Sequence, residues 1–289
     1  MAAATNIMDI NPDPDHRATV SLVGIPFDAN STYLRGAAQA PPRIREALYC
    51  DSTNLWTEDG MDLGKLGTLR DAGDLNLPDP AEEAFPTIER TVSSLLDTGR
   101  PLIVLGGDHS ITYPVLRGFR RRFADLTVVH FDAHPDLYDD LGGRLSHACP
   151  FARVMEEKLV RRLVQVGIRT INGHQLEQAH KFGVEVISMR NMPKLAGLRL
   201  EGPLYISFDV DVLDPGFAPG ISHYEPGGMT VREVLNIIQA LRVPIAGADI
   251  VEYNPARDET SRTAFVCAKI LKETAAAMIR GGAAPAEWI

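Results

Sequence analysis

Residues 127–140 read TVVHFDAHPDLYDD, and the interpretation of the whole chain starts from this stretch. It begins as a β-branched and aliphatic run and then places Asp132, His134 and Asp136 within five residues. In an extended segment, residues i, i+2 and i+4 point to the same face. The stretch therefore predicts a buried strand that ends in charged side chains aimed at one place.

Aliphatic runs of the same kind recur along the chain, and segments with helical periodicity lie between most of them. The runs cover residues 19–24, 66–71, 102–106, 126–131, 163–167, 184–188, 204–208 and 245–251. The clearest helical segments cover residues 84–96, 115–123, 151–159, 231–241 and 263–279. Alternation of continuous apolar strands with helices is typical of a parallel sheet covered on both faces. We predict an α/β fold, a three-layer α/β/α sandwich on an eight-stranded, mostly parallel sheet. A closed barrel is the alternative, but the irregular spacings favour an open sheet.

Length and composition predict one large core. With 289 residues, 45% hydrophobic and 23% charged, the chain fits a single globular domain over residues 18–289. Residues 1–17 are rich in Ala, Asn, Asp and Pro, and they predict a flexible tail rather than a secretory signal.

Charge and cysteine content restrict the partners and the compartment. A net charge of −9 argues against nucleic acid as a partner, and no apolar run is long enough to predict a membrane span. The three cysteines are widely spaced and odd in number, which favours a reducing compartment. We therefore predict a cytoplasmic protein.

Other predicted strands also end in acids or histidines. Residues 106–110 read GGDHS, Asp209 and Asp211 follow the run 204–208, and Glu252 follows the run 245–251. The carboxyl ends of parallel strands share one edge, where function collects in open sheets. Buried, unpaired carboxylates are costly, and divalent cations would neutralise them. His130 has the same strand parity as Asp132, but its place inside the strand favours a hydrogen-bonded core histidine over a ligand.

The donor types indicate which ions fit. Four Asp and two His, without Cys, suit an oxygen-preferring ion that also accepts imidazole, such as Mn²⁺. Six ligands exceed what one catalytic ion with an open position needs, so two ions are predicted. Taken singly, each motif could instead be a helix cap or a turn.

Three segments together carry a resemblance to a known family. Residues 106–110 (GGDHS), 132–136 (DAHPD) and 207–215 (SFDVDVLDP) resemble the signatures of the ureohydrolases, which include arginases and agmatinases. The resemblance runs from about residue 20 to about residue 280 and implies the same α/β/α fold. It is nearest to plant-type arginases, through residues 40–47 (APPRIREA) and the Ser222-His223 pair that precedes Pro-Gly-Gly.

The resemblance also implies roles for individual residues. Two Mn²⁺ ions, with Ni²⁺ or Co²⁺ as alternatives, would be held by His109, Asp132, His134, Asp136, Asp209 and Asp211. In that arrangement Asp132 and Asp209 would bridge the ions. Glu252 would bind the guanidinium group, and His147 would contact the substrate and move a proton.

The implied reaction is hydrolysis of a guanidino compound to urea and an amine, and the enzyme would be a homo-oligomer, a trimer or a hexamer. L-arginine, giving L-ornithine, is the first choice of substrate. Agmatine, giving putrescine, is the alternative, followed by another guanidino compound. A metal-binding but inactive scaffold is the alternative from a different class. Ser222 and His223 could belong to a rigid surface loop or contact the substrate.

Overall fold

The computed structural model describes residues 20–64, 68–78 and 80–281, and an open parallel sheet lies at its centre. The described residues form eight strands: β1 (Val20–Gly24), β2 (Leu69–Asp74), β3 (Leu102–Leu105), β4 (Thr127–Phe131), β5 (Arg162–Ile168), β6 (Glu185–Ser188), β7 (Leu204–Asp209) and β8 (Ile245–Val251). Their order is β2-β1-β3-β8-β7-β4-β5-β6, and every neighbouring pair is parallel. The predicted fold class is confirmed, and the barrel is excluded because β2 and β6 are free edges.

Helices cover both faces of this sheet. The described α-helices are α1 (Ala40–Tyr49), α2 (Ala81–Leu96), α3 (Thr112–Arg120), α4 (Pro150–Glu156), α5 (Gly173–Phe182), α6 (Val231–Ala240) and α7 (Arg262–Arg280). Short 3-10 segments cover Ala37–Gln39, His109–Ile111, Met189–Gly197, Val210–Val212 and Pro255–Arg257. Helices α1, α6 and α7 contribute to one apolar core, and α2 to α5 contribute to another. The two cores are the two interfaces of a three-layer sandwich.

The central strands and the edge strand β2 differ in composition. All four residues of β3 are aliphatic and buried, as expected of a strand covered on both faces. Strand β2 reads LRDAGD and is half-exposed, and Arg45 of α1 pairs with Asp71 and Asp74. The sequence placed this strand at residues 66–71, a range that begins in the segment 65–67 outside the described residues. The prediction was offset because it followed aliphatic side chains, which an edge strand does not require.

Polar side chains set the starts of two helices. Thr230 and Glu233 form a reciprocal capping box at the start of α6, and Asn172 accepts a hydrogen bond from the amide of Gln175 in α5. All five helical segments predicted from the sequence contain a helix. Helix α3 begins at Thr112, three residues before the predicted range of 115–123.

The strand order brings the four chemically marked strands together. Strands β3, β8, β7 and β4 are consecutive in the sheet, so the segments that follow them meet at one edge. The tail predicted for residues 1–17 lies outside the described residues. Among the helices that are described, none has the length and apolar content needed to cross a membrane.

The Gly107 backbone lies directly against the segment that follows β1. The amide of Asp108 donates to the carbonyl of Phe27 at 2.8 Å, and a Cβ placed on Gly107 would lie 1.8 Å from that same oxygen. Only glycine therefore permits this approach.

We expect Gly107→Ala to lower the free energy of unfolding by about 3 kcal/mol, because the alanine methyl forces two backbone segments apart. Urea unfolding monitored by circular dichroism measures the change. Gly173→Ala is the matched control, since a Cβ there meets no atom of the described residues within 4 Å. Equal stability of the two variants would contradict the proposed contact.

Candidate functional site

The first part of the site surrounds His109, which begins the turn after β3. Its Nδ1 atom lies 3.3 Å from Asp132 Oδ2, 3.0 Å from Asp136 Oδ2 and 3.2 Å from Asp209 Oδ2. The His109 side chain is fully buried, and Nδ1 has no hydrogen-bond partner among the described residues. A buried nitrogen that faces three carboxylate oxygens without a hydrogen bond is well suited to coordinate a cation.

The second part of the site surrounds His134. Its Nδ1 atom lies 3.4 Å from Asp132 Oδ1 and 3.0 Å from Asp211 Oδ2. Asp132 thus directs one carboxylate oxygen to each histidine, which is the placement of a bridging ligand. Asp209 differs, because its carboxylate lies 3.2 Å from His109 Nδ1 but forms no pair with His134 within 4.0 Å among the described residues. The structure brings all six candidate ligands together, and the bridging role of Asp209 stays a prediction.

The backbone achieves this convergence differently from the prediction. Strand β4 ends at Phe131, and Asp136 has a positive φ of 50°, so the extended conformation does not persist to Asp136. The expected alignment of alternate residues was therefore wrong. A turn instead brings Asp136 back towards Asp132. Asp211 likewise lies in the 3-10 turn Val210–Val212 rather than in a strand.

The electrostatics of this cluster favour a bound cation. Burial raises the pKa of Asp209, and the nearby carboxylates of Asp211 and Asp132 raise it further. Burial and Asp132 raise the pKa of Asp211 in the same way. Ionisation of both groups is unfavourable without a positive charge between them. Oxygen and imidazole donors without thiolate fit a hard or borderline divalent ion.

His130 is buried and hydrogen-bonded, as predicted, although it lies close enough to His109 and Asp132 to form a possible ligand group with them. Its Nε2 lies 2.8 Å from Asp132 Oδ2, and Gln165 donates to its Nδ1 at 3.1 Å. Because Gln165 donates to Nδ1, the proton of neutral His130 is on Nε2 and is donated to Asp132. His130 therefore orients the Asp132 carboxylate.

Glu252 and His147 form a pair beside the cluster. Glu252 follows β8 with a positive φ of 63°, and its Oε1 accepts from the amide of His109 at 2.9 Å. His147 Nδ1 lies 2.7 Å from the same oxygen, and its Nε2 lies 2.8 Å from Thr32 Oγ1. A left-handed backbone is uncommon for a glutamate and often marks a functional position.

The two side chains shift each other's protonation. Burial by itself lowers the pKa of His147, but the carboxylates of Glu252, Asp108 and Asp136 together outweigh burial and raise that pKa to about 9, with Glu252 contributing most. Burial by itself raises the pKa of Glu252, and His147 and the His109 amide bring it below its ordinary value. Both groups are therefore charged near pH 7 in the metal-free protein.

Thr32 is a residue that sequence reasoning missed. It follows β1 in a polar loop that carries no motif, and no pattern in the sequence marks it. The loop is held by Asp108, whose Oδ2 accepts from the Asn30 amide at 3.0 Å, while the Asn30 carbonyl accepts from the His147 amide at 3.2 Å. Asp108 of the GGDHS segment thus helps to place Thr32 against His147.

A cavity of about 240 Å³ opens over these groups. Its described lining includes four carboxylates and no lysine or arginine. The lining residues are Thr32, His134, Asp136, Tyr138, Leu141, His147, Ala148, Thr170, Asn172, Gln175, Asp209, Asp211, His223 and Glu252. The cavity therefore suits a cationic ligand.

His223 and Ser222 have different environments. His223 lines the cavity, and its ring lies 5.4 Å from that of His147 and 5.9 Å from that of His134. The Ser222 hydroxyl instead donates to the carbonyl of Leu34 at 2.9 Å and accepts from Asn254. Of the two residues, His223 is placed to contact a ligand and Ser222 fastens the loop.

Comparison with known proteins identifies the family. The family model for the arginase family matches residues 18–277. Arginase 1, mitochondrial, of Arabidopsis thaliana is 47% identical over 90% of this chain and 81% of its own length. The solved arginase of Medicago truncatula superposes with a TM-score of 0.86 at 45% identity, covering 91% of this chain and 88% of that one. An agmatinase of Bacillus anthracis is 32% identical over 88% of this chain and 90% of its own length. The chain belongs to the arginase family and is a hydrolase.

These relatives contradict the predicted cytoplasmic location. Three similar plant arginases, two of Arabidopsis thaliana and one of Medicago truncatula, are named as mitochondrial or chloroplastic/mitochondrial proteins. The prediction was wrong because an odd set of unpaired thiols indicates only a reducing environment. It does not distinguish one reducing compartment from another.

We expect the His147–Glu252 pair to make the stability of the metal-free protein depend on pH. The folded pKa of His147 is raised to about 9 from 6.5. The contribution is therefore complete below the unfolded value and is lost as the pH rises through about 9. At about pH 6, His147→Gln should lower the free energy of unfolding by up to about 3 kcal/mol more than at about pH 10.

Urea unfolding at the two pH values measures this difference. His174→Gln is the control, because the His174–Asp139 pair at 2.9 Å is solvent-exposed and should contribute little at either pH. A His147→Gln effect that is the same at both pH values would show that the pair is not ionic.

Proposed function

We propose that this chain hydrolyses L-arginine to L-ornithine and urea at a site for two Mn²⁺ ions. The observation that carries the proposal is the Asp132 carboxylate, whose two oxygens face His109 and His134 separately, next to the Glu252 carboxylate in an acidic cavity. Ni²⁺ and Co²⁺ suit the same donors. The preference for arginine follows from the plant relatives, which are named arginases and are 45–48% identical, against 32–33% for the agmatinases.

The candidate ligands around His109 and His134 are assigned to two separate ions in this proposal. One ion would be held by His109, Asp136 and Asp209. The other ion would be held by His134 and Asp211, and Asp132 would bind both ions. The resemblance adds Asp209 as a second shared ligand. When bound, a pair of divalent ions supplies an activated water near neutral pH and stabilises the negative charge that develops during attack.

Glu252 is proposed to bind the guanidinium group. A planar guanidinium forms strong paired hydrogen bonds with a carboxylate. The amide of His109 donates to Glu252 at 2.9 Å and so fixes the carboxylate beside the proposed ions. Asp136, Asp209 and Asp211 also line the cavity and add to the attraction for a cation.

His147 is proposed to transfer the proton that the leaving amine requires. In the metal-free protein its pKa is raised to about 9, which favours the protonated imidazole that a general acid requires. The Thr32 hydroxyl at 2.8 Å from Nε2 holds the ring in place on the side away from Glu252.

Agmatine is the second candidate substrate, and one observation favours it. The described cavity lining has no lysine or arginine that could pair with the α-carboxylate of arginine. Neutral donors would have to bind that carboxylate, and Asn172 and Thr170 lie in the lining. Agmatine has no carboxylate and makes no such demand.

The assembly and the domain limits also belong to this proposal. We propose one domain over residues 18–289, because a single sheet organises both apolar cores. We further propose a homo-oligomer, a trimer or a hexamer, as the resemblance implies, and no nucleic-acid partner, as the net charge of −9 favours. Sedimentation of the purified protein measures the oligomeric state, and sedimentation with added RNA measures nucleic-acid binding.

We expect urea release from L-arginine by the Mn²⁺-loaded protein, with a kcat/KM at least about tenfold above that for agmatine. Guanidine and guanidino acids are expected to react more slowly still. A colorimetric urea assay over this panel measures the order. Preferential cleavage of agmatine would reverse the substrate assignment, and no urea from any compound would favour the inactive scaffold.

We expect Asp209→Ala to lose bound metal and nearly all activity, because it removes one of the three carboxylates that face His109 Nδ1. We expect His147→Ala to retain the metal and to lose about 10²-fold or more in kcat, because it removes only the proton donor. Metal analysis of the purified variants beside the urea assay separates the two effects. Full turnover by a metal-free Asp209→Ala protein would refute the metal site.

A further inference from the structure

A buried hydrogen-bonded chain leads from Asp249 to His109. Ser207 of β7 and Asp249 of β8 are partners in the register of the two strands. The Ser207 hydroxyl donates to Asp249 Oδ1 at 2.8 Å, and Ser207 Oγ lies 2.9 Å from His109 Nε2. All three side chains are fully buried. Neither Ser207 nor Asp249 lines the cavity, and the chemistry proposed above uses neither.

The direction of these hydrogen bonds fixes the position of a proton. The Asp249 carboxylate only accepts, so the single proton of the Ser207 hydroxyl is committed to it. Ser207 Oγ must then accept from His109, which places the imidazole proton on Nε2. The lone pair of the neutral ring is consequently on Nδ1, the atom that faces Asp132, Asp136 and Asp209.

Two further hydroxyls hold the Asp249 carboxylate in place. Thr112 donates to Asp249 Oδ2 at 2.8 Å, and Tyr205 donates to the same oxygen at 2.7 Å. With Oδ2 occupied by these two donors, Oδ1 is left for Ser207. A buried carboxylate is expensive unless it is fully hydrogen-bonded, and this one has three hydroxyl donors.

We propose that Ser207 and Asp249 are positioning residues that hold His109 as the tautomer with a free Nδ1 and so strengthen binding of the ion at His109. This inference rests on the proposed metal site, and it adds a cause for that site's affinity. Partners that fix a ligating histidine change metal affinity by about 10- to 100-fold when they are removed.

The test is Mn²⁺ binding to Ser207→Ala, measured by competition with a chelator. We expect one of the two Mn²⁺ ions to bind about 10- to 100-fold more weakly than in the wild type. Tyr205→Phe is the matched control. It removes a hydroxyl that donates to the Asp249 carboxylate, but it leaves the hydrogen bond between Ser207 and His109 intact. Its Mn²⁺ affinity should stay within about threefold of the wild type, even where its melting temperature falls as far as that of Ser207→Ala.

A spectroscopic measurement supports the assignment of the proton. In the Co²⁺-loaded wild type, a paramagnetically shifted, slowly exchanging N–H resonance of His109 is expected, and Ser207→Ala should lose its protection from exchange. Should Ser207→Ala fail to fold, Ser207→Cys serves in its place, because a thiol keeps nearly the same shape and is a poor acceptor.

The outcomes separate this inference from the proposed function. Wild-type protein that binds no Mn²⁺ would remove the metal site itself. Wild-type binding of two ions, together with unchanged affinity in Ser207→Ala, would overturn only the role of Ser207. An equal loss of affinity in Tyr205→Phe would also overturn it, because general damage to the buried network would then be sufficient.

Discussion

The cost of gathering four aspartates at one buried sheet edge is the constraint on which the rest of the site depends. Asp132, Asp209 and Asp211 are almost entirely buried, and burial together with the neighbouring carboxylates raises the pKa of Asp209 and of Asp211. Only two of the candidate ligands are histidines, so the cluster carries more acidic than basic groups. Bound cations would relieve this repulsion, and the fold supplies a rigid frame for them because four adjacent strands converge there.

The groups around the proposed ions are themselves oriented by buried partners. Gln165 fixes the tautomer of His130, and His130 in turn donates to Asp132. On the other side of the cluster, Asp249 and Ser207 orient His109. Each chain starts at a buried residue that does not line the cavity, Gln165 or Asp249, and ends at a candidate ligand. The sheet therefore contributes hydrogen-bond direction as well as position, and the interior of the protein is part of the metal site.

Much of this could be predicted from the sequence, and the limits have physical causes. The buried strands and the six candidate ligands were found because apolar runs and charged residues are adjacent in the chain. The geometry of Asp136 was not found, because aspartate adopts a positive φ only occasionally and its presence alone does not predict one. Thr32 was missed because its contact with His147 spans 115 positions and depends on a loop. The start of β2 was misplaced because an edge strand is selected by pairing rather than by burial.

The contact between His147 and Glu252 means that the proposed guanidinium-binding carboxylate already has a cationic partner before any substrate arrives. A guanidinium that reached Glu252 would compete with the imidazole of His147 for the same oxygen, so substrate binding would exchange one cation for another. An imidazole released in this way returns towards its ordinary acidity. In the proposed mechanism, arrival of the substrate would thus make His147 a stronger acid when the leaving amine needs a proton.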